Sequence, residues 1–265
     1  MHITSTANPR IKELRKLSKR KTRHARGQLL LEGLRLVRDA LDSGVTPALL
    51  LYVPDSLSAD ELQPLLATAR ARGSDVWTCT AAVFAGIAET VTPQGIAAVV
   101  PLPDLPVPAT ADFVLLLDGV RDPGNAGTLL RTAEAAGVDL VLFGPDSVDP
   151  FNDKVLRAAM GAHFRLPLRT CPTWDAVLTA APPGLAWYHA EASAAQAYDQ
   201  VDWTQPAALI IGSEATGPSA AARAHSQAVA IPMHGHTESL NAAMAGAVIL
   251  FEAARQRRVR KSRLR

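Results

Sequence analysis

Between residues 207 and 257 the chain runs twice through one short plan, and few folds accept it. An apolar run of strand length, 207–211, stops at GSEATGPS. A second, 228–231, stops at PMHGHTES and leads into an alanine-rich segment of helical composition. Continuous apolar runs suit strands buried on both faces, and strands alternating with helices form a mostly parallel sheet. Ligands of such sheets bind beyond the carboxyl ends of the strands, where both polar loops fall. Ser239 is the expected N-cap of the last helix, which puts Leu240 and Asn241 in its first turn.

The same alternation extends upstream. Residues 113–117 are wholly apolar, 126–136 read as a helix closed by Gly137, and 139–143 read as a strand. A helix over 151–160 and a strand over 185–189 follow, so 113–265 is expected to be one α/β domain with a mostly parallel sheet and helices on both faces. Residues 101–112, PLPDLPVPATAD, carry four prolines and no periodicity, which predicts a stiff linker. Residues 1–100 predict a smaller α/β domain. It has a basic helix over 10–23 with Ile11, Leu14 and Leu17 as a thin apolar stripe, an apolar run at 29–31 and a helix over 33–41 ending at Gly44. Strands at 48–53, 76–79 and 96–100 and a helix over 58–72 complete it.

The residues in these loops also carry a resemblance. GSEATG followed by IPMHGHTESLNAAMAGAVILFEAARQR resembles the last two motifs of the SpoU/TrmH family of RNA ribose methyltransferases. LLLDGVRDPGNAGTLLRTAEAAG, with Asn125, Gly127 and Arg131, resembles the first. FNDKVLRAAMGAHFRLPL is similar to a family segment between them. The N-terminal pattern, including Asn8-Pro9 and Leu31-Glu32-Gly33, looks like the ribosomal-protein-like substrate-binding domain that precedes many catalytic domains of the family. The family's middle motif usually has Gly after its Glu; here Ala215-Thr216 precede Gly217, which leaves the backbone of that loop open.

The resemblance implies a trefoil knot in the C-terminal domain, a homodimer, S-adenosylmethionine as methyl donor and RNA as substrate. Large-subunit (23S) ribosomal RNA is the first expectation and transfer RNA the alternative. It implies that Asn125, Arg131, Glu214, Ser239 and Asn241 surround the reacting centre, and that Gly212, Ile231, Met233, Gly235 and Leu240 hold the donor. The chemistry suits these types: small residues let main-chain groups approach a ligand, apolar ones line a slot for adenine, and short amides and hydroxyls position a substrate oxygen. An arginine keeps its proton at neutral pH, so Arg131 is expected as a forked phosphate clamp, with the substrate proton lost late or to water. Glu214 suits an ordering hydrogen bond to Arg131, Asn125 or a backbone amide. Ser239 suits either the substrate or the helix cap.

Charge distribution fits a polyanion partner. Residues 10–26 hold nine Lys or Arg against one acid, and 255–265 hold seven against none, within a chain whose formal charge is only +2. Cys79 and Cys171 stand far apart, which suggests neither a disulfide framework nor a zinc ribbon. His234 and His236 lack a third ligand, so no metal is expected. No apolar stretch has the length of a membrane span, and a cytoplasmic protein with no membrane partner is expected. Two other readings stay open: an RNA-binding assembly factor without catalysis, and a nucleotide-dependent oxidoreductase, which the missing GxGxxG spacing disfavours.

Overall fold

In the computed structural model, which describes residues 1–234, 237 and 239–263, the chain forms two units. One comprises Met1–Pro103 and Phe151–Phe164, the other Asp104–Pro150 and Arg165–Arg265. The helix Asp153–Ala159, expected within the C-terminal domain, therefore groups with the N-terminal unit.

In the first unit β1 (His2–Ile3), β2 (Gln28–Glu32), β3 (Leu49–Tyr52), β4 (Asp75–Cys79) and β5 (Ile96–Pro101) make a mixed sheet in the order β1-β4-β3-β5-β2. The basic segment is not one helix. It comprises α1 (Pro9–Arg15), a 3-10 turn at Lys16–Ser18 and α2 (Arg20–Arg26). Ser18 Oγ donates back to Arg15 O at 2.9 Å and Lys19 is extended, so a side chain competes with the helical ladder where like charges already crowd it. Ile11, Leu14 and Leu17 are buried against Leu49, Leu51, Phe84 and Val99, as the stripe predicts. Arg23 is not free for phosphate: it is 5% exposed, and its Nη1 donates to Leu17 O and Ser18 O at 3.0 and 2.6 Å. Helices α3 (Leu34–Asp42), α4 (Ala59–Ala71) and α5 (Ala81–Ala85) link the strands. Ser58 caps α4 and donates to Glu61, a reciprocal capping pair. Burial pushes the Cys79 thiol up to about 11.

In the second unit β6 (Phe113–Asp118), β7 (Leu140–Phe143), β8 (Leu168–Thr170), β9 (Ala186–Ala190), β10 (Ala207–Gly212) and β11 (Gln227–Val229) form one sheet in the order β11-β9-β10-β6-β7-β8. Every pairing in it is parallel. Phe113 to Leu117 are 0% exposed, which explains a run with no polar alternation; each such side chain contributes roughly 1.5–3 kcal/mol by leaving water.

The helices are α6 (Pro123–Ala136), α7 (the Asp153–Ala159 helix of the first unit), α8 (Trp174–Ala180), α9 (Ala220–His225) and α10 (Ala242–Arg263). On one face Val177 of α8 and Ala222 of α9 pack with Val114, Leu116, Ala208 and Ile210. On the other, α10 crosses α6 so closely that a Cβ on Gly246 would collide with Leu129. The chain leaves β6 in one direction through β7 to β8, while β10, β9 and β11 lie on its other side. The adjacent ends of β6 and β10 thus mark the switch point where open sheets hold ligands.

Two helix starts differ from expectation. Helix α6 begins at Pro123, with Asp122 Oδ1 accepting from Asn125 N at 2.7 Å, so Asn125 lies in the first turn. Ser239 does not cap α10. Asn241 does: its Oδ1 accepts from Ala243 N and Met244 N at 2.9 and 3.2 Å. Asn and Ser are equivalent caps in sequence, and only the path of the loop decides between them.

Candidate active site

The carboxyl ends of β9, β10 and β11 open onto a cleft of about 490 Å³, a size suited to a nucleoside-sized ligand. Gly212, Ile231, Met233 and Leu240 line it together with Glu214, Ser239 and Asn241. Seven of the ten candidate residues thus meet in one place. Gly235 lies outside the described residues, as does His236.

Gly212 ends β10, and a Cβ there would run into the backbone of Gly217 and Pro218. Such an approach is open only to glycine. The Ser213–Gly217 loop is closed by paired backbone hydrogen bonds, Ser213 N to Gly217 O at 3.0 Å and Gly217 N to Ser213 O at 2.9 Å. Gly217 has φ +68°, so the positive-φ glycine comes after Ala215-Thr216. Buried Asp118, at the end of β6, accepts from Ser219 N at 2.7 Å and ties this loop to the neighbouring strand.

Three polar side chains are linked in series. Asn241 Nδ2 donates to Asn125 Oδ1 at 3.0 Å, and Asn125 Nδ2 donates to Glu214 Oε1 at 2.9 Å. Because Asn241 Oδ1 is engaged by the α10 amides, its Nδ2 must face Asn125, which in turn points the Asn125 amide at the carboxylate. Arg121 N reaches Glu214 Oε2 at 3.4 Å. Of the partners expected for Glu214, Asn125 and a backbone amide are found and Arg131 is not.

Arg131 stands apart: it is exposed on α6, does not line the cleft, and its side chain has no hydrogen bond or ion pair with the described residues. Six residues beyond Asn125, it is about 120° around the helix from it.

Sequence reasoning passed over the β9 side of the cleft, where Ala190, Glu191 and Ala192 meet Arg223. Glu191 directly follows a strand, the criterion that singled out the other two loops. Among the described residues no three His, Cys, Asp or Glu side chains cluster as a metal set, and no helix is long and apolar enough to cross a membrane.

Known proteins resemble the chain over nearly its whole length. Residues 112–251 match the model of the SpoU rRNA Methylase family and residues 8–98 that of the MRM3-like substrate binding domain. The chain is 36% identical to the 23S rRNA (guanosine(2553)-2'-O)-methyltransferase RlmP of Bacillus subtilis, over 94% of this chain and 97% of that one. The AdoMet-bound rRNA methyltransferase of Sinorhizobium meliloti superposes with a TM-score of 0.83 at 31% identity, covering 96% and 97% of the two chains. The SpoU methyltransferase AviRb of Streptomyces viridochromogenes, in complex with AdoMet, gives 0.81 at 30% identity and 95% and 100% coverage.

Proposed function

Since the chain belongs to the SpoU rRNA methylase family, we propose that it transfers a methyl group from S-adenosylmethionine to a ribose 2'-hydroxyl of 23S ribosomal RNA. The observation that carries this reading is the series Asn241–Asn125–Glu214 at the mouth of a nucleoside-sized cleft. The residues present suit the donor. Ile211, Val229, Ile231 and Leu240 offer an apolar slot for a purine, Gly212 and Gly217 allow close main-chain approach, and Glu214 and Glu191 supply carboxylates to a cationic, hydroxyl-bearing ligand.

When bound, S-adenosylmethionine supplies an electrophilic methyl on a sulfonium centre. Glu214 makes no ion pair with the described residues, so its charge is free to favour a neighbouring cation. Asn125 and Asn241 fix that carboxylate and present amide groups that hold the substrate oxygen in line for displacement. Ser239, released from capping, keeps its hydroxyl for the substrate or for the loop. Transfer would form the C–O bond as the sulfonium S–C bond breaks to leave a neutral thioether, and the 2'-hydroxyl proton would leave to water. Arg131, exposed and unengaged, clamps a substrate phosphate with its fork. Arg131→Lys keeps the charge and loses the fork, and should lower methyl transfer roughly tenfold or more; a rate close to the parent's would count against the clamp.

The direct test is transfer of labelled methyl to purified ribosomal and transfer RNA, followed by mapping of alkali-resistant linkages. Label confined to transfer RNA would move the substrate, and no label in either would leave only a non-catalytic RNA-binding role. On this reading the protein works in the cytoplasm beside its substrate, where fractionation should find it.

RNA recognition is assigned to the first unit. Lys19 and Arg20 are exposed beside Lys16, which pairs with Glu13, and phosphate contacts of this kind make binding fall steeply with salt. Charge reversal of Lys16, Lys19 and Arg20 should weaken RNA binding about tenfold or more at low salt and leave donor binding unchanged. Equal loss of both would indicate misfolding instead.

A homodimer belongs to the same reading. On α10 the apolar Met244, Val248 and Phe251 are 56%, 38% and 52% exposed at spacings of four and three, which makes a strip suited to a second copy. Phe251→Glu should convert a dimeric mass in light scattering to a monomeric one; a monomeric parent at micromolar concentration would contradict the assignment. The threading of the C-terminal segment expected from the resemblance is part of the proposal as well.

A further inference from the structure

The cleft is lined by two carboxylates, Glu191 beyond β9 and Glu214 beyond β10, on neighbouring strand ends. Their surroundings are opposite in kind. Glu191 already holds a cation: Arg223 Nη1 donates to its Oε1 at 3.2 Å, and Arg223 is itself fixed by Nε donating to Pro218 O at 3.2 Å. Ser193 Oγ approaches the same oxygen at 3.4 Å. On the other oxygen, Oε2, lies Nε2 of His189 at 3.0 Å, and the imidazole is only 4% exposed, with its Nδ1 2.8 Å from Ser226 Oγ. Glu214 is held by an amide side chain and a backbone N–H, neither of them charged.

We propose that Glu191 reads the ribose hydroxyls of the methyl donor and thereby sets which way round the donor lies in the cleft. The inference rests on the methyl-donor reading above. A group placed beside Glu191 meets a carboxylate whose charge Arg223 already balances, so a second cation gains little there, whereas a neutral hydroxyl can still donate to the free lone pair of Oε2. Beside Glu214 the balance is reversed, and a sulfonium centre gains most. The donor's neutral diol therefore belongs at the β9 end and its cationic sulfur at the β10 end, next to Asn125 and Asn241. Ala190 and Ala192, flanking Glu191, leave room for a sugar. His189 and Arg223 are positioning residues: they fix the carboxylate.

Calorimetric binding of S-adenosylhomocysteine and of its 2'-deoxy and 3'-deoxy analogues tests this without RNA or turnover. In the parent, loss of at least one hydroxyl should weaken binding about tenfold, the effect of one hydrogen bond to a charged acceptor. In Glu191→Ala that penalty should shrink to less than about twofold, and in Glu191→Gln, which keeps an acceptor of the same shape and guards against misfolding, it should be intermediate. Equal binding of all three compounds by the parent, or a penalty unchanged in both variants, overturns the assignment of Glu191. A folded parent that binds none of the three overturns the methyl-donor reading itself.

Discussion

Asn125→Asp is expected to cut methyl transfer to RNA by about a hundredfold or more, the scale on which removing one positioned donor at a reacting centre acts, with little change in melting temperature. The substitution is isosteric, so packing is unchanged. What changes is the sense of one contact: the Asn125 Nδ2 that donates to Glu214 Oε1 at 2.9 Å becomes an oxygen facing an oxygen. Two carboxylates at that separation repel, and one must turn away or take a proton. Asn241 would still donate to the new Asp, so the series breaks at one link only. Initial rates with saturating donor and RNA, beside a thermal melt, decide the matter. A variant within fivefold of the parent would show that Asn125 does not orient the reacting groups.

Gly212→Ala should weaken donor binding on the order of a hundredfold and should also lower stability by about 1–3 kcal/mol. The added methyl meets the backbone carbonyl carbon of Gly217 and the nitrogen of Pro218, not the end of a flexible side chain. Relief requires moving the Ser213–Gly217 loop, whose backbone is already locked by its own hydrogen bonds and by Asp118. That displacement carries Glu214 away from Asn125. Calorimetry with S-adenosylhomocysteine reads the loss, and unchanged affinity would mean that the loop is softer than its bonding implies.

Much of this architecture was legible from the chain because the central strands are buried on both faces. Residues 113–117 and 207–211 have no reason to be continuously apolar unless helices cover both sides, and they pair in register, Phe113 with Ala207 through Leu117 with Ile211. Less was legible where short-range preference is silent or tertiary packing overrides it. Strands β1 and β8 have two and three residues, too few to set a period. The stretch 10–23 has helical periodicity throughout yet breaks at Lys16–Ser18, where Ser18 Oγ bonds back to Arg15 O and Arg23 turns inward to the carbonyls of Leu17 and Ser18. The residues expected on the loops after β10 and β11, whose motifs are dense, do line one cleft, and the loop after β9, which lines it too, carried no signal of its own. There Glu191 is a lone acid in an alanine-rich loop, given meaning only by Arg223 and His189 arriving from elsewhere in the fold.

The bond from Asn241 to Asn125 joins residues 116 positions apart, and Asn241 is also the group that starts α10. During synthesis all the strands of the second unit therefore leave the ribosome before the pocket has its last wall. Contacts of such long sequence separation form slowly and late. The cleft is accordingly complete only once α10 lies against α6, so a change that loosens that helix also opens the wall of the cleft.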